Sequence, residues 1–157
     1  MRVLIAFDKF KDALSAAAAC AVAATTLRTH YPDWQLDLCP LTDGGEGFGE
    51  TLTTAAHGEI CTPTVAGPRG QPVKAQLGLI TAQNIPANAT RHLALENNPR
   101  VSTAPLAIVD LSSASGLALL APSERDPWQT STYGTGELVR LAAEAGAGTI
   151  LLGVGGS

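Results

Sequence analysis

Apolar and polar positions change their period several times along this chain, and each change marks an element. Residues 2–7 (Arg-Val-Leu-Ile-Ala-Phe) are a short run rich in branched side chains that ends at Asp8. Such a run predicts a strand buried on both faces, as in a parallel sheet. Ser15 is placed to cap a helix over 16–30, closed by Pro32. Residues 35–41 alternate and predict a second strand. The segment Asp43-Gly44-Gly45-Glu46-Gly47 then leads into a helix over 46–56 that stops near Gly58. Strand, helix, strand, helix is the opening of an α/β layer with parallel strands.

The pattern then shifts. Residues 60–66 and 72–80 are β-rich and flank Gly67-Pro68-Arg69-Gly70, a turn signal between antiparallel strands. Residues 82–104 are polar, rich in Asn and Pro and without a period, which predicts an exposed loop. Residues 105–111 read as a further strand, and 123–133 as a polar connector. Tyr133-Gly134-Thr135-Gly136 opens a helix over 136–146, with Leu138, Leu141, Ala142 and Ala145 on one face. Residues 149–154 read as a buried strand that runs into Gly155-Gly156-Ser157. The expected fold is α/β: a Rossmann-like parallel sheet with helices on both faces, over 1–58 and 123–157, carrying a small inserted β-rich domain over 59–122. A strand entering a Gly-Gly-Ser loop is expected to continue into a helix whose amides complete an anion site, so the chain reads as a piece of a longer protein.

Composition supports this picture and narrows the partners. Hydrophobic residues are 45% and charged ones 15%, enough apolar material for a packed core. Aromatics are only 4%, and abundant Ala and Gly let helices sit close on a sheet. A net charge of −4 gives no electrostatic ground for a nucleic-acid partner, so a small anion would need local Lys, Arg or helix N-termini. The three cysteines (Cys20, Cys39, Cys61) show no CxxC spacing, which favours free thiols in a cytoplasmic protein. The Ala-rich run at 13–24 has Asp8 and Asp12 upstream where a secretion signal wants positive charge, and no stretch reaches the length of a membrane span.

Glycine-rich and acidic loops sit where α/β sheets carry chemistry, at the carboxyl ends of strands. In Phe7-Asp8-Lys9-Phe10-Lys11 a carboxylate can take a hydroxyl proton or hold Mg2+, and the lysines can neutralise a carboxylate or phosphate. In the loop from Thr42 to Gly49, Gly44 and Gly45 allow close backbone approach. Asp43 and Glu46, three residues apart, read as a capping box. The P-loop spacing is met by Gly44 and Gly49, but Glu50 stands where Lys is needed and would repel phosphates. Gly134, Thr135 and Gly136, with Gly155, Gly156 and Ser157, suit the cradling of a polyphosphate. Ser115 lacks a hydrolase elbow around it and reads first as part of a hydrogen-bonded turn.

Taken together these segments resemble the glycerate kinase family that includes the bacterial glycerate 2-kinases. FDKFKDALSA (Phe7 to Ala16) is similar to the family's PDSFK or PDKFK opening, and DGGEGF (Asp43 to Phe48) to its DGGEGT. VAGPRGQPV (Val65 to Val73), ASGL (Ala114 to Leu117), TSTYGTGEL (Thr130 to Leu138) and GVGGS (Gly153 to Ser157) follow in the family's order. The chain departs from the pattern at Phe7 (usually Pro), Phe48 (usually Thr), Asp110 (usually Glu) and in a longer loop at 82–104.

The resemblance implies an active site in a cleft between two domains, with ATP, Mg2+ and D-glycerate, in a chain more than twice this long. It implies phosphoryl transfer with Asp8 and Lys11 as catalytic residues, and Asp43 and Glu46 at Mg2+. Lys9, Gly44, Gly45, Ser115, Gly134, Thr135, Gly136, Gly155, Gly156 and Ser157 would contact substrate or phosphate. The expected partners are small molecules, without nucleic acid or membrane, and the oligomeric state is not legible. Two alternatives stay open: a non-catalytic nucleotide- or acid-binding module, and a kinase of another small hydroxy acid.

Overall fold

A computed structural model describes residues 1–93, 95 and 103–157, which form two compact units, Met1–Asp43 and Gly44–Ser157.

The first unit is a strand–helix–strand motif. β1 (Arg2–Ile5) and β2 (Gln35–Leu38) pair in parallel, Arg2 opposite Gln35 and Ile5 opposite Leu38. Between them runs α1 (Ala16–His30), whose N-cap Ser15 accepts the Ala18 amide at 3.2 Å, as its sequence position predicts. Small side chains bring the helix onto the strands: Cys20 and Ala24 are fully buried against Ile5, with Val3, Leu27 and Leu36 around them. Cys20 also donates its thiol to the Ile5 carbonyl at 3.5 Å. Two-face burial of β1 does not occur within this unit. Ile5 is buried while Leu4, on the opposite face of the pleat, is 66% exposed.

In the second unit a four-stranded sheet runs β3 (Glu59–Cys61), β6 (Leu77–Ile80), β7 (Leu106–Asp110), β8 (Thr149–Gly153). β3–β6 and β6–β7 are antiparallel; β7–β8 is parallel, Leu106 opposite Thr149 and Asp110 opposite Gly153. The α/β class holds, in a mixed sheet. β7, from the segment expected as an insertion, and β8, from the segment expected as its host, are neighbours in it. A separate hairpin pairs β4 (Thr64–Ala66) with β5 (Pro72–Lys74) across the Gly67–Gly70 turn, as expected from the sequence.

Every residue of β7 is buried, and its alternation explains why. Leu106 and Ile108 face α2 (Phe48–Ala55) through Phe48, Leu52 and Ala56. Ala107 and Val109 point the other way, into a cluster with Leu138 and Ala142 of α5 (Tyr133–Glu144). The sheet thus has a helix on each face, and the apolar run at 105–111 carries two-face burial. α2 lies tight on β6, where a Cβ on Gly78 would overlap the Thr53 hydroxyl. The polar stretch expected as a loop at 82–104 begins with a 3-10 turn (Ala82–Asn84) and a short helix, α3 (Ala87–His92). No residue of α3 is buried, so no hydrophobic period announced it. Residues 94 and 96–102 of that expectation lie outside the described residues.

Thr53 is fully buried, and among the described residues its hydroxyl has no hydrogen-bond partner. Thr53→Val keeps the shape and removes an unpaired polar group. It is expected to raise stability by roughly 1 kcal/mol or more, read as a higher urea midpoint at unchanged slope. A lowered midpoint would mean that the hydroxyl has a partner.

Candidate functional site

The candidate residues gather in two places, one in each unit. In the first unit the parallel ladder continues beyond its strands, with Cys39 N–H donating to Ile5 O and Leu41 N–H to Phe7 O, both at 2.8 Å. Asp8 and Asp43 therefore follow the carboxyl ends of neighbouring parallel strands, where open α/β sheets bind ligands. Lys9 joins them. Its Nζ lies 2.8 Å from Asp43 Oδ1 and 3.8 Å from Asp8 Oδ1, and its backbone N–H donates to Asp8 Oδ1 at 2.7 Å. One ammonium between two carboxylates leaves a net negative group, suited to accept a proton or meet a cation. Asp43 is the more open carboxylate, its side chain 62% exposed against 41% for Asp8. Lys11 is placed differently. It is exposed at the tip of the tight Phe10–Leu14 turn, in which Phe10 and Leu14 exchange backbone hydrogen bonds at 2.9 and 3.0 Å.

In the second unit the chain brings three loops together at the carboxyl ends of β7 and β8. Gly155 N–H donates to Gly44 O at 2.9 Å. The backbones are so close that a Cβ on Gly155 would lie 2.7 Å from Gly45 Cα. Gly44 adopts φ +88°, a conformation that favours glycine. A Cβ on Gly156 would lie 3.1 Å from Ser112 Cβ and 3.9 Å from the Glu46 nitrogen. Phe48, which stands where the family pattern has Thr, packs its ring where a Cβ on Gly153 would lie.

Asp110 anchors the third loop. It is buried, and its Oδ1 accepts from Ser112 N at 2.9 Å and Ser112 Oγ at 2.5 Å, capping α4 (Leu111–Ser115). Ser115, expected in a hydrogen-bonded turn, ends this short helix instead. Its buried Oγ lies 2.7 Å from Thr135 Oγ1.

Two sequence expectations change here. The helix after the DGGEG loop starts at Phe48, with Gly47 (φ 83°) as cap and no side-chain cap bond, so Asp43 and Glu46 form no capping box. Glu46 is exposed. The helix expected over 136–146 begins at Tyr133, which places Gly134, Thr135 and Gly136 in its first turn rather than in a loop. Gly134 and Thr135 are buried, and a Cβ on Gly134 would overlap the Ala66 carbonyl oxygen. That glycine serves close packing of α5 on β4, a contact reinforced by Glu137 Oε2, which accepts the Ala66 amide at 2.7 Å.

The donor chemistry bears on Mg2+ as follows. Among the described residues no group of three or more His, Cys, Asp and Glu side chains is arranged to hold a metal. Mg2+ that arrives with phosphates needs only one or two carboxylates. Glu46 and Asp43, both with exposed side chains, are carboxylates of that kind. Among the described residues no helix is long and apolar enough to cross a membrane.

Residues 3–157 match the model of the glycerate kinase family. Glycerate kinase of Bacillus subtilis strain 168 is 33% identical over 157 residues, covering 100% of this chain and 36% of the relative. Glycerate 2-kinase of Escherichia coli K12 is also 33% identical with the same coverage. A crystal structure of the protein assigned as glycerate kinase 2 in Salmonella typhimurium LT2 superposes with TM-score 0.70 at 35% identity, covering 100% of this chain and 37% of that one. The chain thus spans about a third of the length of these relatives.

The glycines of α5 can be told apart by experiment. Gly134→Ala is expected to destabilise strongly, because its Cβ has no room at Ala66. Gly136, with nothing within 4 Å of its Cβ position, should tolerate Ala and gain up to about 1 kcal/mol of helix propensity. Thermal melting of the two variants measures both, and equal melting temperatures would contradict the packing described.

Proposed function

The chain belongs to the glycerate kinase family, and on that premise we propose that it is the N-terminal part of an ATP-dependent kinase that phosphorylates D-glycerate. The observation that carries this reading is the convergence of the Gly44–Glu46 and Gly153–Gly156 loops at the carboxyl ends of β7 and β8, where Gly155 N–H donates to Gly44 O and the two glycine backbones lie in contact.

Phosphoryl transfer depends on positioning and charge neutralisation more than on covalent steps. In this proposal Asp8 orients the glycerate hydroxyl and accepts its proton. Lys9, already held between Asp8 and Asp43, fixes the orientation of both carboxylates and supplies positive charge beside them. Lys11, on its exposed turn, meets a carboxylate or phosphate. Mg2+, carried in with ATP, would be held by Asp43 and Glu46 and would offset phosphate charge. Gly44, Gly45, Gly156 and Ser157 would present backbone amides to phosphates, and Gly155, bonded to Gly44 O, would hold the two loops together. Gly134, Thr135, Gly136 and Ser115 would support that site from the first turn of α5, through the Ser115–Thr135 hydroxyl pair. A cytoplasmic enzyme with free thiols is consistent with Cys20, Cys39 and Cys61, which form no disulfide.

The full-length protein tests this directly by ADP release from Mg-ATP with and without D-glycerate. Release that requires glycerate is expected. Release indifferent to glycerate would discard the substrate, and none at all would favour a binding module. Asp8→Asn is expected to lower turnover by about a hundredfold or more, the range of general-base loss, with an unchanged melting temperature. Wild-type rates in that variant would remove Asp8 from the mechanism.

A further inference from the structure

The connector between α4 and α5, expected only as a polar link, is built as the wall of a cavity. It holds three short 3-10 turns, Leu117–Leu119, Pro122–Glu124 and Pro127–Gln129. An open cavity of about 540 Å3 lies against it, lined among others by Arg125, Asp126, Ser131, Thr132, Ser115 and Ser157. Ser157 directly follows the Gly155–Gly156 turn, and Ser115 is bonded to Thr135, so the cavity adjoins the glycine loops already described.

The wall is held in place from outside. Arg69, in the β4–β5 turn, donates through Nη1 to Glu124 O at 3.2 Å and through Nη2 to Gln129 Oε1 at 2.7 Å. Ser131 N–H donates to Pro68 O at 2.9 Å. The hairpin therefore braces both ends of the connector.

The two charged groups of the wall are engaged differently. Asp126 is committed: its Oδ1 accepts the Trp128 amide and its Oδ2 the Gln129 side-chain amide, each at 2.9 Å. Among the described residues Arg125 has no hydrogen bond or ion pair through its guanidinium, while the neighbouring Arg69 bonds through both terminal nitrogens in bracing. The unpaired guanidinium beside Ser and Thr hydroxyls gives this cavity donors for an oxyanion, while the Trp128 and Gln129 amides hold the Asp126 carboxylate. The planar fork of arginine matches the two oxygens of a carboxylate or a phosphate.

We propose that Arg125, with the hydroxyls of Ser131 and Thr132, is an oxyanion-recognition site of this protein, and that Arg69 acts as its positioning residue. This deepens the kinase reading and rests on it for the two candidate sources of the oxyanion, the carboxylate of the hydroxy acid and a phosphate of the nucleotide.

Arg125→Gln and Arg125→Lys in the full-length protein test the assignment by steady-state kinetics. Arg125→Gln is expected to raise the KM of one substrate by about tenfold to a hundredfold, the loss of a charge-assisted pair of hydrogen bonds, while the other KM stays within about twofold. A rise for D-glycerate identifies the carboxylate; a rise for ATP identifies the phosphate. Arg125→Lys keeps the charge without the fork and should fall between wild type and Arg125→Gln. Unchanged KM values for both substrates overturn the proposal. Should the wild type show no glycerate-dependent turnover, the kinase reading fails by itself, and calorimetric titration with D-glycerate, ATP and orthophosphate decides the site. Binding lost in Arg125→Gln supports it; equal binding in both proteins, or none in the wild type, overturns it.

Discussion

Two backbones touch where Gly44–Gly45 meets Gly153–Gly156, and the end of the second unit is organised around that contact. With one hydrogen bond, Gly155 to Gly44, and no room for a Cβ on Gly155, the DGGEG loop is fixed against the end of β8. The same turn passes its Gly156 carbonyl to the Leu117 amide, which ties in the segment after α4. Asp110 at the end of β7 shapes the start of α4 and so places Ser112 beside Gly156. Side chains larger than hydrogen at these contacts would push the loops apart, so the glycines here are required by close approach as much as by conformation.

This arrangement depends on the buried β7 strand. Its two faces hold α2 and α5, and each helix is drawn close by a small residue on the strand it meets or on itself: Gly78 under Thr53, Gly134 over Ala66. Close helices leave the loops at the strand ends little freedom, which is how a sheet of modest size can hold backbone amides in fixed positions. The first unit reaches a comparable result by charge. Lys9 bridges Asp8 and Asp43, so two carboxylates that would otherwise repel are held by one ammonium.

Much of this was legible in the sequence. The helix at 16–30, the Gly67–Gly70 hairpin and the strand ends bearing Asp8 and Asp43 followed from capping, turn chemistry and apolar runs, which are local signals. What escaped was nonlocal or lacked a period. The burial of β1 was over-read, because a short apolar run does not say which face is covered. α3 was missed since none of its residues is buried. The start of α5 was placed three residues late because Gly134 and Gly136 look like loop residues, whereas Gly134 is there to meet Ala66. Lys9 ranked behind Lys11 in the sequence, and only the pairing with Asp43 distinguishes them. Arg125 carried no signal at all: its significance comes from an unpaired guanidinium in the lining of the cavity that the Arg69-braced connector forms, which spacing cannot reveal.

The central claim is that the two glycine loops form one phosphate-facing surface. Amide hydrogen exchange of the full-length protein, followed by mass spectrometry with and without a non-hydrolysable ATP analogue and Mg2+, tests it most directly. The account predicts that peptides covering residues 44–47 and 153–156 gain protection together. Protection of neither, or of one loop without the other, would contradict it.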